Sequence, residues 1–141
     1  KNSAVLLDFG CVYGGYCSDI TRTYFYGRPD EEFKRVYSVV ERAQKAGLNK
    51  VRAGTPASEV DKACRDHIAA AGFGQHFIHG TGHGVGLEIH EAPTLNTKSK
   101  EVLRAGMAVT VEPGIYLHGK FGVRIEDSVL VKKNGCEILT R

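Results

Sequence analysis

The sequence predicts an α+β domain in which strands and helices are segregated along the chain. Three observations carry that assignment. An apolar run followed by a Gly-Gly pair opens the chain as a hairpin, two central stretches have helical spacing, and the second half returns to period-two alternation. At 141 residues the chain makes one domain, residues 1–141, with enough length for a substantial core.

Composition bounds the function classes. Hydrophobic residues make up 42% and charged residues 25%, as in ordinary soluble proteins. The net charge of +3 is small and its basic residues are scattered, so neither nucleic acid nor a membrane surface is an expected partner. No apolar run approaches the ~20 residues of a membrane span, and the opening KNSAVLLDFG lacks a signal peptide's layout. Cys11, Cys17, Cys64 and Cys136 form no CxxC pair and read as buried, reduced thiols of a cytoplasmic protein, although spacing alone leaves a disulfide open. Residue 1 is not Met, and a core strand follows within a few residues, which suggests a piece of something longer.

In chain order, Ala4 to Phe9 is the first strand, apolar but for Asp8. Gly14-Gly15 suits a two-residue hairpin turn because both central positions can take positive φ. That turn sets the register: Tyr13 faces Tyr16, Gly10 faces Asp19 and Asp8 faces Thr21. Asp8 and Asp19 then share a face as diagonal neighbours, roughly 5–8 Å apart at their β-carbons, while Leu7, Phe9, Ile20 and Tyr24 point the other way into apolar packing. Two acids on an exposed face would be the ordinary reading. Asp8 lies between Leu7 and Phe9, however, and a buried carboxylate needs a cation or a partner.

Pro29-Asp30-Glu31-Glu32 opens the first helix, with Phe33, Val36, Tyr37, Val40 and Ala43 inward and Gly47 or Arg52-Ala53-Gly54 at its end. Thr55 as N-cap and Pro56 as first residue open the second, which buries Val60, Cys64, Ile68 and Ala71 and stops at Gly72 and Gly74. The charged residues of both helices read as solvated scaffold.

His79 to His90, HGTGHGVGLEIH, follows. His79 and His83 have the i, i+4 spacing of a helical zinc pair, but four glycines in seven residues would cost such a helix about 1 kcal/mol each. The backbone is therefore extended or looping, with His79, Thr81, His83 and Val85 on one side and room for a close approach on the other. Taken alone, three histidines would also suit a zinc site. Glu91 to Arg104 reads as a polar surface connection. Met107 to Glu112 is a strand, held extended at its end by Pro113, with Thr110 on the same face as Glu112. Phe121 to Val131 alternates, with Val123, Ile125, Val129 and Val131 opposite Arg124, Glu126 and Ser128. An Asn134-Gly135 turn precedes a short last strand, Glu137 to Leu139.

The inventory at strand ends and glycine breaks is Asp8, Asp19, His83, Glu112 and Glu126. Four carboxylates and an imidazole suit two divalent ions such as Mn²⁺, Co²⁺, Fe²⁺ or Zn²⁺, whose charge the four carboxylates offset, leaving room for a bridging hydroxide. Two ions about 3.5–4 Å apart activate water and polarise a carbonyl, which is equipment for hydrolysis.

LLDFG, GGYCSDITRTY, HGTGHGVGLEIHEAP, LRAGMAVTVEPGIY and GVRIEDSVLV, in that order, resemble the blocks of the pita-bread (creatinase/aminopeptidase-like) metallopeptidases, on the Xaa-Pro dipeptidase (prolidase) and Xaa-Pro aminopeptidase branch. The resemblance implies a partial pita-bread fold, a curved antiparallel sheet with helices on its outer face. It implies that Asp19 and Glu126 bridge two ions, that Asp8 binds one and that His83 and Glu112 bind the other. Glu112 would also be the general base, His79 and His90 the catalytic substrate-pocket histidines, and Tyr116 and Arg124 supporting or substrate contacts. The glycines at 80 to 86 would admit the substrate backbone. The activity implied is hydrolysis of the bond preceding proline by a metal-bridged hydroxide, with Mn²⁺ foremost. Substrates would be Xaa-Pro dipeptides or peptides with proline second, and the longer protein a homodimer. The family's upstream half, with a further substrate histidine, and its separate N-terminal domain are missing from this stretch. A methionine aminopeptidase, an inactive peptide- or protein-binding relative and a metal-free hydrolase of amidino compounds are the alternatives, the last two disfavoured by five intact ligand positions.

Overall fold

The computed structural model describes residues 2–140, so the ends of the expected 1–141 domain, Lys1 and Arg141, lie outside it. The chain begins with a long hairpin, β1 (Ser3–Phe9) and β4 (Ile20–Tyr26), whose tip is a narrower ribbon of β2 (Val12–Tyr13) and β3 (Tyr16–Cys17). Tyr13 pairs with Tyr16, and Asp8 with Thr21, so the register follows the turn. Gly14 and Gly15 take φ of 58° and 86°, the left-handed pair that such a turn requires.

α1 (Glu31–Leu48) is capped by the Asp30 side chain, which accepts from the Phe33 amide at 2.8 Å. Gly47 does not end the helix. It sits inside α1 because a β-carbon there would lie 2.5 Å from Cys64 Sγ and 3.0 Å from a Val111 methyl, so it lets α1 close on α2 (Ala57–Ala70) and the sheet. α2 starts one residue later than its sequence suggests. Pro56 is the N-cap and the Thr55 side chain makes no cap bond, because this segment is tied elsewhere: Leu103 donates to Thr55 O and the Ala57 amide to Glu101 O, both at 2.9 Å.

The second half builds a five-stranded sheet, antiparallel throughout. Its order is β11 (Cys136–Ile138), β10 (Asp127–Val131), β7 (Ala108–Val111), β5 (Gly82–Gly84) and β6 (Glu91–Leu95), with a separate hairpin of β8 (Gly114–Leu117) and β9 (Phe121–Arg124). Two expectations change here. The polar stretch after the histidines contains β6, a strand whose proline is tolerated because it lies on the sheet edge. The alternating run 121–131 is two strands interrupted at Ile125-Glu126. The glycines face the protein itself, since a β-carbon on Gly82 would lie 2.0 Å from Thr110 O and one on Gly84 2.3 Å from Ala92 O. They let β5 fit between its neighbours, and Gly80 and Gly82 also line the cleft beside His79 and His83.

The core joins both helices to this sheet through Phe33, Val36, Val60, Cys64, Val109 and Val129, each such large apolar side chain contributing about 1.5–3 kcal/mol. The hairpin's faces divide differently from expectation. Ala4 and Phe25 lean on the core, and the same face runs on to Asp8 and Thr21. On the opposite face, Leu7, Phe9 and Tyr24 are 45%, 58% and 57% exposed, because both helices pack elsewhere and nothing among the described residues covers them. Of the four thiols only Cys64 is buried, where desolvation pushes it up to about 12, and all four are free. No helix among the described residues is long and apolar enough to cross a membrane.

Candidate metal centre

Five side chains expected from sequence come together where the hairpin meets the sheet. Asp8 stands near the end of β1 and Asp19 immediately before β4. His83 is the middle residue of β5, Glu112 follows β7, and Glu126 occupies the break between β9 and β10. Asp8, Asp19 and Glu126 offer oxygens within 4.8 Å of one another, as do the ligand atoms of His83, Glu112 and Glu126, and of Asp19, His83 and His90. Asp19 and Glu126 each belong to two of these groups.

The local fold aims each group. The His83 amide donates to Thr110 Oγ1 at 3.1 Å, and that hydroxyl donates to Glu112 Oε1 at 3.0 Å. With His83 Nδ1–H donating to Gly84 O at 3.0 Å, Nε2 is turned toward Glu112 Oε1 at 3.1 Å and Asp19 Oδ2 at 3.7 Å. A ring fixed through its other nitrogen in this way is a prepared metal ligand. Thr21 donates its hydroxyl to Glu126 Oε2. Beside Glu126, Asp127 points away and accepts from Arg22 Nη2 and Gln44 Nε2, both at 2.7 Å, while Arg22 also donates to the Glu126 carbonyl.

Electrostatics marks the cluster as short of positive charge. Glu126 is 1% exposed, and burial, with Glu112 and other acids nearby, pushes its carboxyl up to about 8. Its Oε1 is buried with no hydrogen-bond partner. Burial and the Asp8 charge raise Asp19. Burial would also raise Glu112, but hydrogen bonds from His83 and Thr110 and the His83 charge hold it below its ordinary value. Burial would lower His83, and its bonds to Glu112 and Gly84 O outweigh that and raise it. A buried orphan oxygen among converging acids, beside an imidazole with one nitrogen already engaged, fits a divalent cation.

The substrate-side candidates border a cleft of ≈ 410 Å³ lined by Asp8, His79, His83, His90, Glu112 and Arg124. The exposed His90 ring meets His83 edge-on at 4.1 Å. With His79 Nδ1–H donating to Gly80 O at 2.7 Å, its Nε2 accepts from Tyr116 O–H at 2.8 Å, and that oxygen accepts from Arg124 Nη1 at 3.0 Å. Arg124 also pairs with Asp8 and reaches Thr21 Oγ1 at 3.2 Å. Thr110 was expected on the Glu112 face and Thr21 opposite Asp8, but neither was expected to hold a carboxylate of the site. Their signal is the alternation that sets each threonine on the same strand face as a candidate carboxylate.

An α+β scaffold whose strand ends gather four carboxylates and an imidazole presents a candidate divalent-metal centre. Residues 1–133 match metallopeptidase family M24, and the chain belongs to that family. It is 50% identical over 136 residues to an uncharacterized peptidase of Bacillus subtilis, covering 96% of this chain and 38% of that protein. The prolidase from Pyrococcus furiosus superposes with a TM-score of 0.97 at 46% identity, over 98% of this chain and 41% of that one. An X-Pro aminopeptidase from Thermotoga maritima gives 0.95 at 45% identity, over 98% and 39%. The fold is thus the expected partial pita-bread fold, and the chain spans about two-fifths of the length of these relatives. Membership in the family implies divalent metal ions.

Proposed function

We propose that the protein is a metallo-exopeptidase that hydrolyses the peptide bond preceding proline, as a dipeptidase or an aminopeptidase. The single observation that carries the reading is the buried, unpartnered Glu126 oxygen at the centre of the convergent acids. Similarity to proteins named prolidase and X-Pro aminopeptidase supports the proline-specific branch over a methionine aminopeptidase. The intact carboxylates and His83 argue against an inactive or metal-free relative.

Asp8, Asp19 and Glu126 would hold one ion, and His83 and Glu112, with Asp19 and Glu126 shared, a second. Mn²⁺ suits this oxygen-rich donor set, with Co²⁺, Zn²⁺ or Fe²⁺ also compatible. When bound, such ions supply the activated water and the polarisation of the scissile carbonyl. Glu112 takes the proton of the attacking water and returns it to the proline nitrogen as that nitrogen leaves. His90, exposed beside His83, stabilises the charge that develops on the carbonyl oxygen and seats the proline side. His79, Tyr116 and Arg124 form a polar wall that orients the peptide. Four free thiols suit the cytoplasm, and the homodimer implied for the longer protein belongs to the same reading.

The test is metal content, with turnover of Gly-Pro and of a longer Xaa-Pro peptide. Expected are Mn²⁺-dependent cleavage before proline and its loss in Glu112→Ala. A protein that binds no Mn²⁺, Co²⁺ or Zn²⁺ and is indifferent to Glu112→Ala would not be this enzyme. Cleavage of the dipeptide alone identifies a dipeptidase.

A further inference from the structure

One half-buried ion pair stands outside the site. The charged residues of α2 were expected to be solvated, yet Asp61 is fully buried and receives Arg65 on both oxygens at 2.9 Å. Such a pair is weak evidence of stabilisation, since apolar residues of the same volume often serve as well. Its remaining hydrogen bonds all go to one short segment. Arg65 donates to the carbonyls of Phe77 at 3.0 Å and His79 at 2.8 Å. Asp61 Oδ1 accepts the amide and the hydroxyl of Thr81, both at 3.0 Å. The guanidinium lies 4.2 Å over the Phe77 ring, which meets the His79 ring edge-on at 5.1 Å. Thr81 O in turn accepts the Glu112 amide at 2.8 Å. Apolar replacements would leave the Phe77 and His79 carbonyls without these donors. Neither Asp61 nor Arg65 lines the cleft.

We propose that Asp61 and Arg65 are positioning residues: they fix the main chain from Phe77 to Thr81 and thereby orient the His79 imidazole toward the substrate. The inference rests on the peptidase reading for its kinetic consequence and on geometry alone for its structural one. Arg65 acts through the two carbonyls, so lysine, with one donor centre, replaces it only in part. Asp61 acts through Thr81, whose hydroxyl serine keeps and valine removes.

The test compares Arg65→Met, Arg65→Lys, Thr81→Val and Thr81→Ser with the parent. In the metal-free protein, the His79 ring resonance, assigned by its loss in His79→Gln, should move in Arg65→Met and Thr81→Val and stay in Thr81→Ser. In the Mn²⁺-loaded protein, KM for Gly-Pro should rise and kcat/KM per bound metal fall about 10–100-fold in the first two, with metal stoichiometry unchanged. Arg65→Lys should lie between. An unmoved His79 resonance, or a kcat that falls with KM constant as from a smaller folded fraction, overturns the proposal. If Arg65→Met does not fold, the Thr81 pair decides. If the parent does not turn over Gly-Pro, the peptidase reading falls, and the resonances still decide whether the pair orients His79.

Discussion

Glu126→Gln should stabilise the metal-free protein and destabilise the metal-loaded one relative to the parent. Glutamine has the shape of the protonated acid, and the Glu126 carboxyl is raised from 4.5 to about 8 by burial and its acidic neighbours. A carboxyl raised in the folded state keeps its proton there while the unfolded chain has lost its own. Stability is therefore fully present below about pH 4.5, declines as pH rises toward about 8, and is flat above. The difference between 4.5 and about 8, at ~1.4 kcal/mol per pH unit, sets a ceiling near ~5 kcal/mol. Side-chain rotation and water entry relieve part of it, leaving about 2–4 kcal/mol at pH 8. Urea denaturation in EDTA from pH 5 to 9 reads this directly: the parent loses stability relative to Glu126→Gln as pH rises. Saturating Mn²⁺ should reverse the order, since an ion bound only by the folded state adds RT ln(1 + [L]/Kd) and the amide is a poor ligand. The reasoning fails if, in EDTA, the two proteins keep a constant difference across that range, or if Mn²⁺ protects both equally.

Three further substitutions separate close packing from exposed surface. Gly82→Ala drives a methyl to within 2.0 Å of Thr110 O, so β5 must part from β7; a loss of about 2–3 kcal/mol and weaker Mn²⁺ binding are expected, and a melting temperature within about 1 °C of the parent would refute that. Phe9→Ser, at a ring 58% exposed, should change this chain's urea stability by no more than about 0.5 kcal/mol, against about 2–5 kcal/mol for the fully buried Ile68→Ala.

What was legible in the sequence follows from which constraints are local. Gly14-Gly15 forces the turn type, the turn forces the register, and the register sets Asp8 and Asp19 on one face; no distant contact is needed. Val123, Ile125, Val129 and Val131 alternate and are all buried, for the same reason. Alternation, however, does not say whether a face is covered, so Leu7, Phe9 and Tyr24 were assigned to packing that the described residues do not supply. It also passed through the break at Ile125-Glu126, because the side chains keep their parity there while the backbone leaves one ladder for another. Proline disguised β6, which only its place at the sheet edge makes possible. Asp61 was the deepest miss: on a helix wheel it is one acid among several charged residues, and its burial is decided by a segment 16 to 20 positions further on.

The same facts explain why the candidate site sits at a junction. Asp8 and Asp19 belong to the hairpin, and His83, Glu112 and Glu126 to the sheet and its border, so mutual repulsion of the acids acts to separate the two bodies. Neutral and cationic groups clasp them. Ser128 donates to Asp19 O at 2.8 Å, Thr23 exchanges hydrogen bonds with the Arg124 main chain at 2.8 and 3.1 Å, and Arg22 spans from Thr21 O to Asp127. These bonds fix the backbones and leave Glu126 Oε1 buried with no hydrogen-bond partner. An assembly whose main chains are satisfied and whose central buried carboxylate oxygen is not is one that a cation completes. The strain of bringing four acids together is held by the clasp before the cation arrives, so binding it need not reorganise the fold.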